Sequence, residues 1–328
     1  MKYAVDRSSM DLQPLVVLED DAGRRVRIAC HGATLIGFEA RRGGSSFDIA
    51  AGHRDAAEIA ARPGSRFAIM VPFGGRIADA RYRFDGHDYD LQPGADPGQR
   101  ESRHGFVRDA DFAVAKLVAD AHFARAILTT SIGGRPGYPF AIDLSVSFTL
   151  DDMGLTLEAR MRNGSEKPAP CFFGWHPYFR VSDGAANEWQ LQVPARALIR
   201  TGSDMIALEG DAAYVPLDAA PPLDFRRLRL VGGSVLDQGY ADLAADADGR
   251  IRTRLADPAS GFSITVWQER GLMHVFTGDT LKRDARRSVA LEPMECMANA
   301  FNRPEWADAI RLEPGAERVF RCGIELAA

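Results

Sequence analysis

The chain has 328 residues, of which 46% are hydrophobic and 26% charged, and its 40 basic and 45 acidic residues give a net charge of −5. This composition is that of a globular protein with a sizeable core and excludes a disordered or collagen-like chain. The sequence lacks the basic excess typical of nucleic-acid binding, so we expect a small-molecule partner, no nucleic acid and no membrane. One large all-β domain can reach this length, and we expect a single domain over residues 1–328.

The N-terminal segment and the cysteines bear on the cellular compartment. The first residues contain no apolar run followed by a small-residue cleavage site, and no stretch approaches about 18 continuous apolar residues. The cysteines are far apart and form no C-x-x-C pair, which argues against a disulfide framework and a zinc knuckle. We therefore expect a cytoplasmic protein with reduced, mostly buried thiols at Cys30, Cys171, Cys296 and Cys322.

In chain order, alternation of apolar and polar residues predicts strands from end to end. Only residues 53–63 show a short helical pattern. Residues 81–91 alternate around Asp85-Gly86 and predict a tight hairpin, and residues 141–161 alternate around a "DDMG" turn and predict a meander. Similar alternation occurs in "RRVRIAC", "FSITVW" and "RVFRCGIEL". The fold class we expect is all-β, a large sandwich of mostly antiparallel strands.

A long Pro/Gly-rich stretch, "LQPGADPGQRESRHGFVRD", occupies residues 91–109. No repeat, low-complexity tract or change of composition marks it as a linker between domains. We interpret it as a loop within the domain. Long loops on a rigid sheet often carry functional residues, and we expect this one beside a concave face.

Two of the seven histidines stand out. His104 lies in the long loop before Gly105, which lets the backbone approach a ligand closely. His176 lies in "CFFGWHPYFR", where Pro177 confines the segment to a strand end, an edge or a bulge. From this segment alone, His176 is either a proton-transfer residue or a core histidine. The other five occur in turns or polar alternating contexts and are expected to be solvated or locally bonded: His31, His53, His87, His122 and His274.

Glu292 is the outstanding carboxylate. It follows the apolar run "VAL" and precedes Pro293, so it emerges from a core strand. Partial burial raises the pKa of a carboxyl group and makes it a better base near neutral pH. Glu295 lies three residues further on, and an odd separation along a strand places two side chains on opposite faces. A glycosidase-type carboxylate pair is therefore not predicted.

Several segments resemble, in the same order along the chain, the aldose 1-epimerase (galactose mutarotase) superfamily. They are "PFGGRIADARYRFDGHDYDL", "SRHGFVRDADF", "GWHPYF", "LDQGYADL", "LEPMECMANAFN" and a closing hairpin "RLEPGAERVFRCGIEL". The resemblance covers most of the chain. It implies the galactose mutarotase-like supersandwich, with a sugar site in a cleft over the concave sheet.

The resemblance also implies an isomerase that interconverts the α and β anomers of an aldose by ring opening and reclosure, without metal or cofactor. By position in the motifs, the implied roles are Glu292 as catalytic base, His176 as catalytic acid, His104 as second active-site histidine, and Arg76 and Asp237 as residues that hold hydroxyls. Three aromatic residues near these motifs are either apolar surface for the C–H faces of the sugar or core residues, the commoner role in such runs: Trp175, Phe106 and Phe179. Two departures concern the substrate: Gly105 is followed by phenylalanine where glycine is common, and Gln238 replaces a common histidine. The sequence does not identify the sugar or the oligomeric state.

Alternatives to a free aldose remain open at this point. The loop also resembles the hexose-6-phosphate mutarotase branch, because Arg100, Arg103 and Arg108 surround His104 and could hold a phosphate. The neighbouring Glu101, Asp109 and Asp111 offset those charges, so a free aldose is favoured. A cupin-type metal enzyme is a further possibility, although no close H-x-H pair occurs. A non-catalytic sugar-binding or sensing protein on the same fold is another.

Overall fold

The computed structural model describes residues 2–42, 44–96 and 99–327. Its α-helices are α1 (Ala56–Ala61) and α2 (Ala307–Ile310). The first half of the strands comprises β1 (Tyr3–Met10), β2 (Gln13–Asp20), β3 (Arg25–Ala29), β4 (Thr34–Arg42), β5 (Ser45–Asp48), β6 (Ala68–Met70), β7 (Arg76–Ile77), β8 (Arg81–Phe84), β9 (His87–Asp90), β10 (Ser102–Arg103), β11 (Ala113–Ala119), β12 (Phe123–Ile132), β13 (Ile142–Asp151) and β14 (Gly154–Asn163). The second half comprises β15 (Ala169–Pro170), β16 (Gly174–His176), β17 (Tyr178–Phe179), β18 (Gln190–Gln192), β19 (Ala195–Ile199), β20 (Tyr214–Pro216), β21 (Arg229–Leu230), β22 (Asp237–Leu243), β23 (Ile251–Ala256), β24 (Ser263–Gln268), β25 (Leu272–Phe276), β26 (Val289–Met294), β27 (Arg311–Leu312) and β28 (Glu317–Ala327).

Two large sheets and an N-terminal sheet organise these strands. The N-terminal sheet contains β1 to β5 in sequence order. The nine-stranded sheet has the order β11-β12-β13-β14-β28-β24-β23-β18-β21. The eight-stranded sheet has the order β20-β19-β22-β25-β26-β16-β6, with β17 also paired to β26. The ladders of both large sheets are antiparallel. The prediction of an all-β, mostly antiparallel fold is confirmed.

The local predictions are largely confirmed by the strand registers. β8 and β9 form the hairpin around Asp85-Gly86, and β13 pairs with β14 over their full lengths. The helical pattern of residues 53–63 corresponds to α1, which Asp55 caps by accepting a hydrogen bond from the backbone N–H of Glu58. The prediction of a closing hairpin is wrong, because β27 and β28 do not pair with each other. β27 pairs with β15, and β28 pairs with β14 and β24.

The core lies between the inner faces of the two large sheets. Leu157 and Ile324 of the nine-stranded sheet belong to the same buried apolar cluster as Val275 and Leu291 of the eight-stranded sheet. Because successive side chains of a strand point to opposite faces, the residues next to Val275 and Leu291 face away from this core. The eight-stranded sheet therefore presents a second, outward face on which polar side chains can lie.

The long loop keeps little regular structure. Its described residues contain β10, which pairs with β7, and a 3₁₀ turn from Val107 to Asp109. Residues 97 and 98 within this loop lie outside the described residues.

The state of the cysteines and the length of the helices bear on the expected compartment and on membrane association. The four cysteines are free and buried, as expected for structural thiols. No helix in the described ranges has the length and apolarity needed to cross a membrane.

Candidate active site

A cleft of about 720 Å³ lies over the outward face of the eight-stranded sheet. Its floor is formed by residues from adjacent strands. Asp237 lies at the start of β22, His274 in the middle of β25, and Glu292 in β26. His274 lies directly opposite Glu292 in the ladder between β25 and β26, and the adjacent β16 contributes His176. Antiparallel pairing thus brings together residues separated by more than a hundred positions in the chain.

His176 faces the cleft from the end of β16. Its ring stacks on Tyr178, with centroids 5.1 Å apart and ring planes 12° apart. The ring of His104 meets it edge-on at 5.2 Å. Only 6% of His176 is exposed, so it is both buried and part of the cleft lining. The two interpretations that the sequence left open therefore describe one residue, whose ring is packed on one side and reaches the cavity on the other.

His104 is held in place by an unusual backbone conformation. Both His104 and Gly105 have positive φ angles, of 60° and 63°. A Cβ atom on Gly105 would lie 2.2 Å from the carbonyl oxygen of Val71, a contact that only glycine avoids. The backbone N–H of His104 donates to the carbonyl of Gly75 at 2.8 Å, and that of Phe106 donates to Val71 at 2.9 Å. Gly105 was expected to let the backbone approach a ligand, whereas the close approach in the structure is to the backbone of Val71, and it positions His104 beside His176.

His176 and Glu292 form a buried pair on the cleft floor. The Nε2 atom of His176 lies 3.4 Å from Oε1 of Glu292, and Glu292 is 3% exposed. Burial raises the pKa of Glu292 to about 8, and burial lowers the pKa of His176 to about 3. The first shift was expected from the apolar run before Glu292. At neutral pH the pair consequently holds one proton, and in the unliganded protein that proton resides on Glu292.

Glu295 takes no part in this site. Its Oε2 accepts a hydrogen bond from the backbone N–H of Phe173 at 2.8 Å, and its Oε1 pairs with Arg270 at 2.5 Å. The strand spacing predicted this separation of the two carboxylates, so the geometry does not provide the carboxylate pair of a glycosidase.

His274 is a cleft residue that the sequence prediction missed. Its Nε2 lies 2.8 Å from Oδ1 of Asp237. Burial opposes protonation of His274, but the hydrogen bond with Asp237 outweighs it and raises the pKa of His274. The pKa of Asp237 is set by the same two opposing effects. Burial favours the neutral acid, but the hydrogen bond from His274 outweighs burial and lowers the pKa of Asp237. The useful sequence signal was the alternation in "LMHVF", which places His274 on the same face as Leu272 and Phe276.

The structure also corrects the prediction for His53, one of the five histidines expected to be solvated or locally bonded. His53 is 4% exposed rather than solvated, and burial lowers its pKa to about 4. It does not belong to the cleft but lines a neighbouring cavity.

The arginines around His104 divide into two groups. Arg76, Arg103 and Arg108 line the cleft. Arg76 and Arg103 both pair with Glu101, which partly neutralises them. Arg100 turns away and pairs with Asp90, so the expectation that three loop arginines surround His104 is wrong for this one.

Trp175 does not line the cleft. It is fully buried in the core, where its ring meets Phe67 edge-on at 5.9 Å. Phe179 packs on the same Phe67 ring at 5.7 Å, and Phe106 packs against Phe73 at 5.5 Å. Trp175 precedes His176 in β16, and adjacent strand residues face opposite ways. The expectation that these three aromatics offer surface to a sugar is therefore not supported, and Tyr178 and Phe276 supply the aromatic lining instead.

No group of three or more His, Cys, Asp or Glu side chains is arranged to hold a metal ion among the residues that the structure describes. The donor set of the cleft is suited to proton transfer and to hydrogen bonds with hydroxyl groups. Its polar groups surround an open cavity and converge on one buried acid–base pair, an arrangement typical of a small-molecule enzyme site.

An all-β sandwich with this cleft over one sheet has relatives among known proteins. A family model for aldose 1-epimerase matches residues 14–325. The chain is 25% identical over 317 residues to galactose mutarotase of Sus scrofa, covering 89% of this chain and 88% of that one. It is 26% identical over 250 residues to the uncharacterized protein YihR of Escherichia coli, covering 75% of this chain and 74% of that protein.

Solved structures agree on the fold. The galactose 1-epimerase from Lactobacillus acidophilus superposes with a TM-score of 0.80 at 16% sequence identity, covering 100% of this chain and 99% of that one. The chain belongs to the aldose 1-epimerase family, as its motifs implied.

Proposed function

We propose that the protein is an aldose 1-epimerase that interconverts the α and β anomers of a free aldose. The observation that carries this proposal is the buried contact of 3.4 Å between His176 and Glu292, which faces the cleft with His104 beside it. Anomerisation requires one group that takes a proton and another that gives one, and then the reverse. A pair that shares a single proton matches this requirement.

The proposed reaction begins with transfer of the shared proton from Glu292 to Nε2 of His176. The Glu292 carboxylate then takes the proton of the C1 hydroxyl while His176 protonates the ring oxygen. The bond between C1 and the ring oxygen breaks, and C1 becomes an aldehyde carbon. After rotation about the C1–C2 bond, the ring oxygen attacks the other face of C1 and the protons return. The pair ends in its starting state.

The other proposed roles follow from position in the cleft. Asp237 accepts hydrogen bonds from sugar hydroxyls, and Arg76 donates to them. His104, whose pKa burial lowers well below its ordinary value, acts as a neutral hydrogen-bonding partner near the ring oxygen. One buried apolar cluster extends from Tyr3 to Ile324, and we propose a single domain on that basis. A cytoplasmic location is also proposed, because the four cysteines are free and buried.

The charges of the cleft support a second candidate, a sugar that carries an anionic group, as in a hexose 6-phosphate. The basic residues that line the cleft are Arg62, Arg66, Arg76, Arg103, Arg108, Lys282 and Arg283, and the acidic ones are Glu58, Asp237 and Glu292. Arg66 donates to backbone carbonyl groups of Ala51 and Arg283, and the Nε atom of Arg108 is buried without a hydrogen-bond partner among the described residues. Such guanidinium groups can bind a phosphate with charge-assisted hydrogen bonds.

The test is a panel of freshly dissolved α-anomers, followed by polarimetry or by NMR exchange between anomers. Glucose, galactose and glucose 6-phosphate are compared, with the His176→Asn variant as the control for uncatalysed anomerisation. Turnover of the free sugars supports the proposal. A strong preference for glucose 6-phosphate that is lost in Arg108→Gln supports the second candidate. Saturable sugar binding without accelerated anomerisation would identify a sugar-binding or sensing protein and contradict both.

A further inference from the structure

A second cavity of about 560 Å³ adjoins the cleft, and no step of the proposed reaction uses it. Arg283 lines both cavities. The second cavity is formed where residues 48–54, at and after the end of β5, meet residues 180–184 after β17 and residues 283–288 before β26. Its volume lies in the range typical of small-molecule sites, which is about 300–1,000 Å³.

Three polar atoms in the walls of this cavity have no hydrogen-bond partner among the described residues. They are Nδ1 of His53, Oγ of Ser288 and Nε of Arg27. His53 is 4% exposed and Ser288 is 1% exposed, so both side chains are deeply buried. Each of these atoms has almost no accessible surface, so they lie behind the cavity wall, and the contacts that the cavity offers to a ligand come from its accessible arginine side chains.

The charge of the cavity wall is positive. Its basic residues are Arg27, Arg54, Arg180, Arg283 and Arg287, and its acidic residues are Asp48, Asp183 and Asp284. The chain as a whole has a net charge of −5, so this local excess is a feature of the site. Arg54 and Arg283 both pair with Asp284, at 2.7 Å and 2.6 Å, and Arg283 also pairs with Glu58 at 2.9 Å. The positive charge that is available to an anion therefore comes from the other arginines of the wall.

Among the arginines of this cavity, Arg180 and Arg287 are the least neutralised by nearby carboxylates. Nε of Arg180 donates to the backbone carbonyl of Asp48 at 2.8 Å, and its nearest carboxylate, that of Asp183, lies 3.6 Å away. Arg287 donates to the backbone carbonyl of Asp183 at 2.5 Å. Guanidinium groups held by carbonyl oxygens are fixed in position and keep their positive charge, which suits them to bind an anion with several oxygen acceptors.

We propose that this second cavity binds a phosphate-bearing small molecule, with Arg180 and Arg287 on the phosphate. A phosphate fits the wall better than a single carboxylate, because its three oxygens can be shared by separate guanidinium groups. The cavity has room for more than the phosphate itself. The site is distinct from the phosphate position considered for the cleft, which depends on Arg108.

The experiment is isothermal titration calorimetry of the full chain with inorganic pyrophosphate at pH 7 and constant ionic strength. Arg287→Gln changes an exposed residue of the second cavity, Arg108→Gln changes the cleft, and Arg83→Gln changes an exposed hairpin residue outside both. We expect Arg287→Gln to weaken binding at least tenfold, with an unchanged Tm in the absence of pyrophosphate. Arg83→Gln should bind like the wild type, and Arg108→Gln should retain the binding that Arg287→Gln weakens.

Arg180→Gln provides an independent check, because it removes the second guanidinium group proposed to hold the phosphate and should also weaken binding. No heat of binding at millimolar pyrophosphate would overturn the proposal. So would binding that Arg108→Gln abolishes and Arg287→Gln leaves unchanged, since the phosphate would then lie in the cleft. The readout is binding rather than turnover, so a protein without epimerase activity would still give a decisive result.

Discussion

Replacing Glu292 by glutamine should remove catalysis and stabilise the fold at high pH. The carboxyl group is buried, and burial raises its pKa from the ordinary value of 4.5 to about 8. The folded state therefore keeps a proton that the unfolded chain releases above pH 4.5. Stability that the protonated form contributes at low pH is lost as the pH rises to about 8. Glutamine has a similar volume and carries no titratable proton, so it escapes this loss.

The magnitude follows from the two pKa values. A rise from 4.5 to about 8 corresponds to an upper limit of about 5 kcal/mol, because each pKa unit is worth about 1.4 kcal/mol. The free energy of unfolding of Glu292→Gln minus that of the wild type should therefore increase by several kcal/mol between pH 4.5 and 8, and then level off. The same variant should lose about 10²–10⁴-fold in kcat, because it lacks the proton carrier.

The assay combines urea unfolding, followed by tryptophan fluorescence at several pH values, with polarimetry on a freshly dissolved α-anomer. Glu295→Gln is the matched control, because Glu295 is also buried but pairs with Arg270 outside the cleft. Near wild-type anomerisation by Glu292→Gln would show that the base is a different residue. A stability difference that does not vary with pH would refute the argument that burial keeps Glu292 protonated.

Four further predictions concern the same site. First, kcat/KM should fall about tenfold per pH unit above pH 8, since Glu292 then loses the shared proton while His176 is already neutral; a flat profile to pH 10 would contradict the one-proton pair. Second, His274→Gln should move this alkaline limb to higher pH, because the charge of His274 lowers the pKa of Glu292; an unmoved or lowered limb would argue against that coupling. Third, His176→Asn should reduce kcat about 10²–10⁴-fold while the far-UV circular dichroism is unchanged, and retained turnover would mean that another group is the acid. Fourth, dialysis against EDTA should leave turnover intact, and an activity that returns only with added metal would favour the cupin-type alternative.

Much of the fold follows from local patterns in the sequence. Alternation with a period of two is imposed by the pleat of a strand, so the hairpin of residues 81–91 and the meander of residues 141–161 could be predicted without tertiary information. The same rule separates Glu292 from Glu295. The apolar run before Glu292 was enough to predict its burial and the direction of its pKa shift, because those depend mainly on the strand to which it belongs.

Tertiary pairing decided what the local patterns could not. His274 looked like an ordinary polar position until β25 was placed between β22 and β26, where Asp237 and Glu292 flank it. Trp175 looked like sugar-facing surface, but its alternation with His176 puts it in the core. Arg100 is close to His104 in sequence, yet its side chain pairs with Asp90 away from the cleft. For His274 the outcome depends on which distant strands lie alongside, and the sequence of its own segment carries no information about those neighbours. For Trp175 and Arg100 it depends on which side of the local chain packs against the rest of the fold.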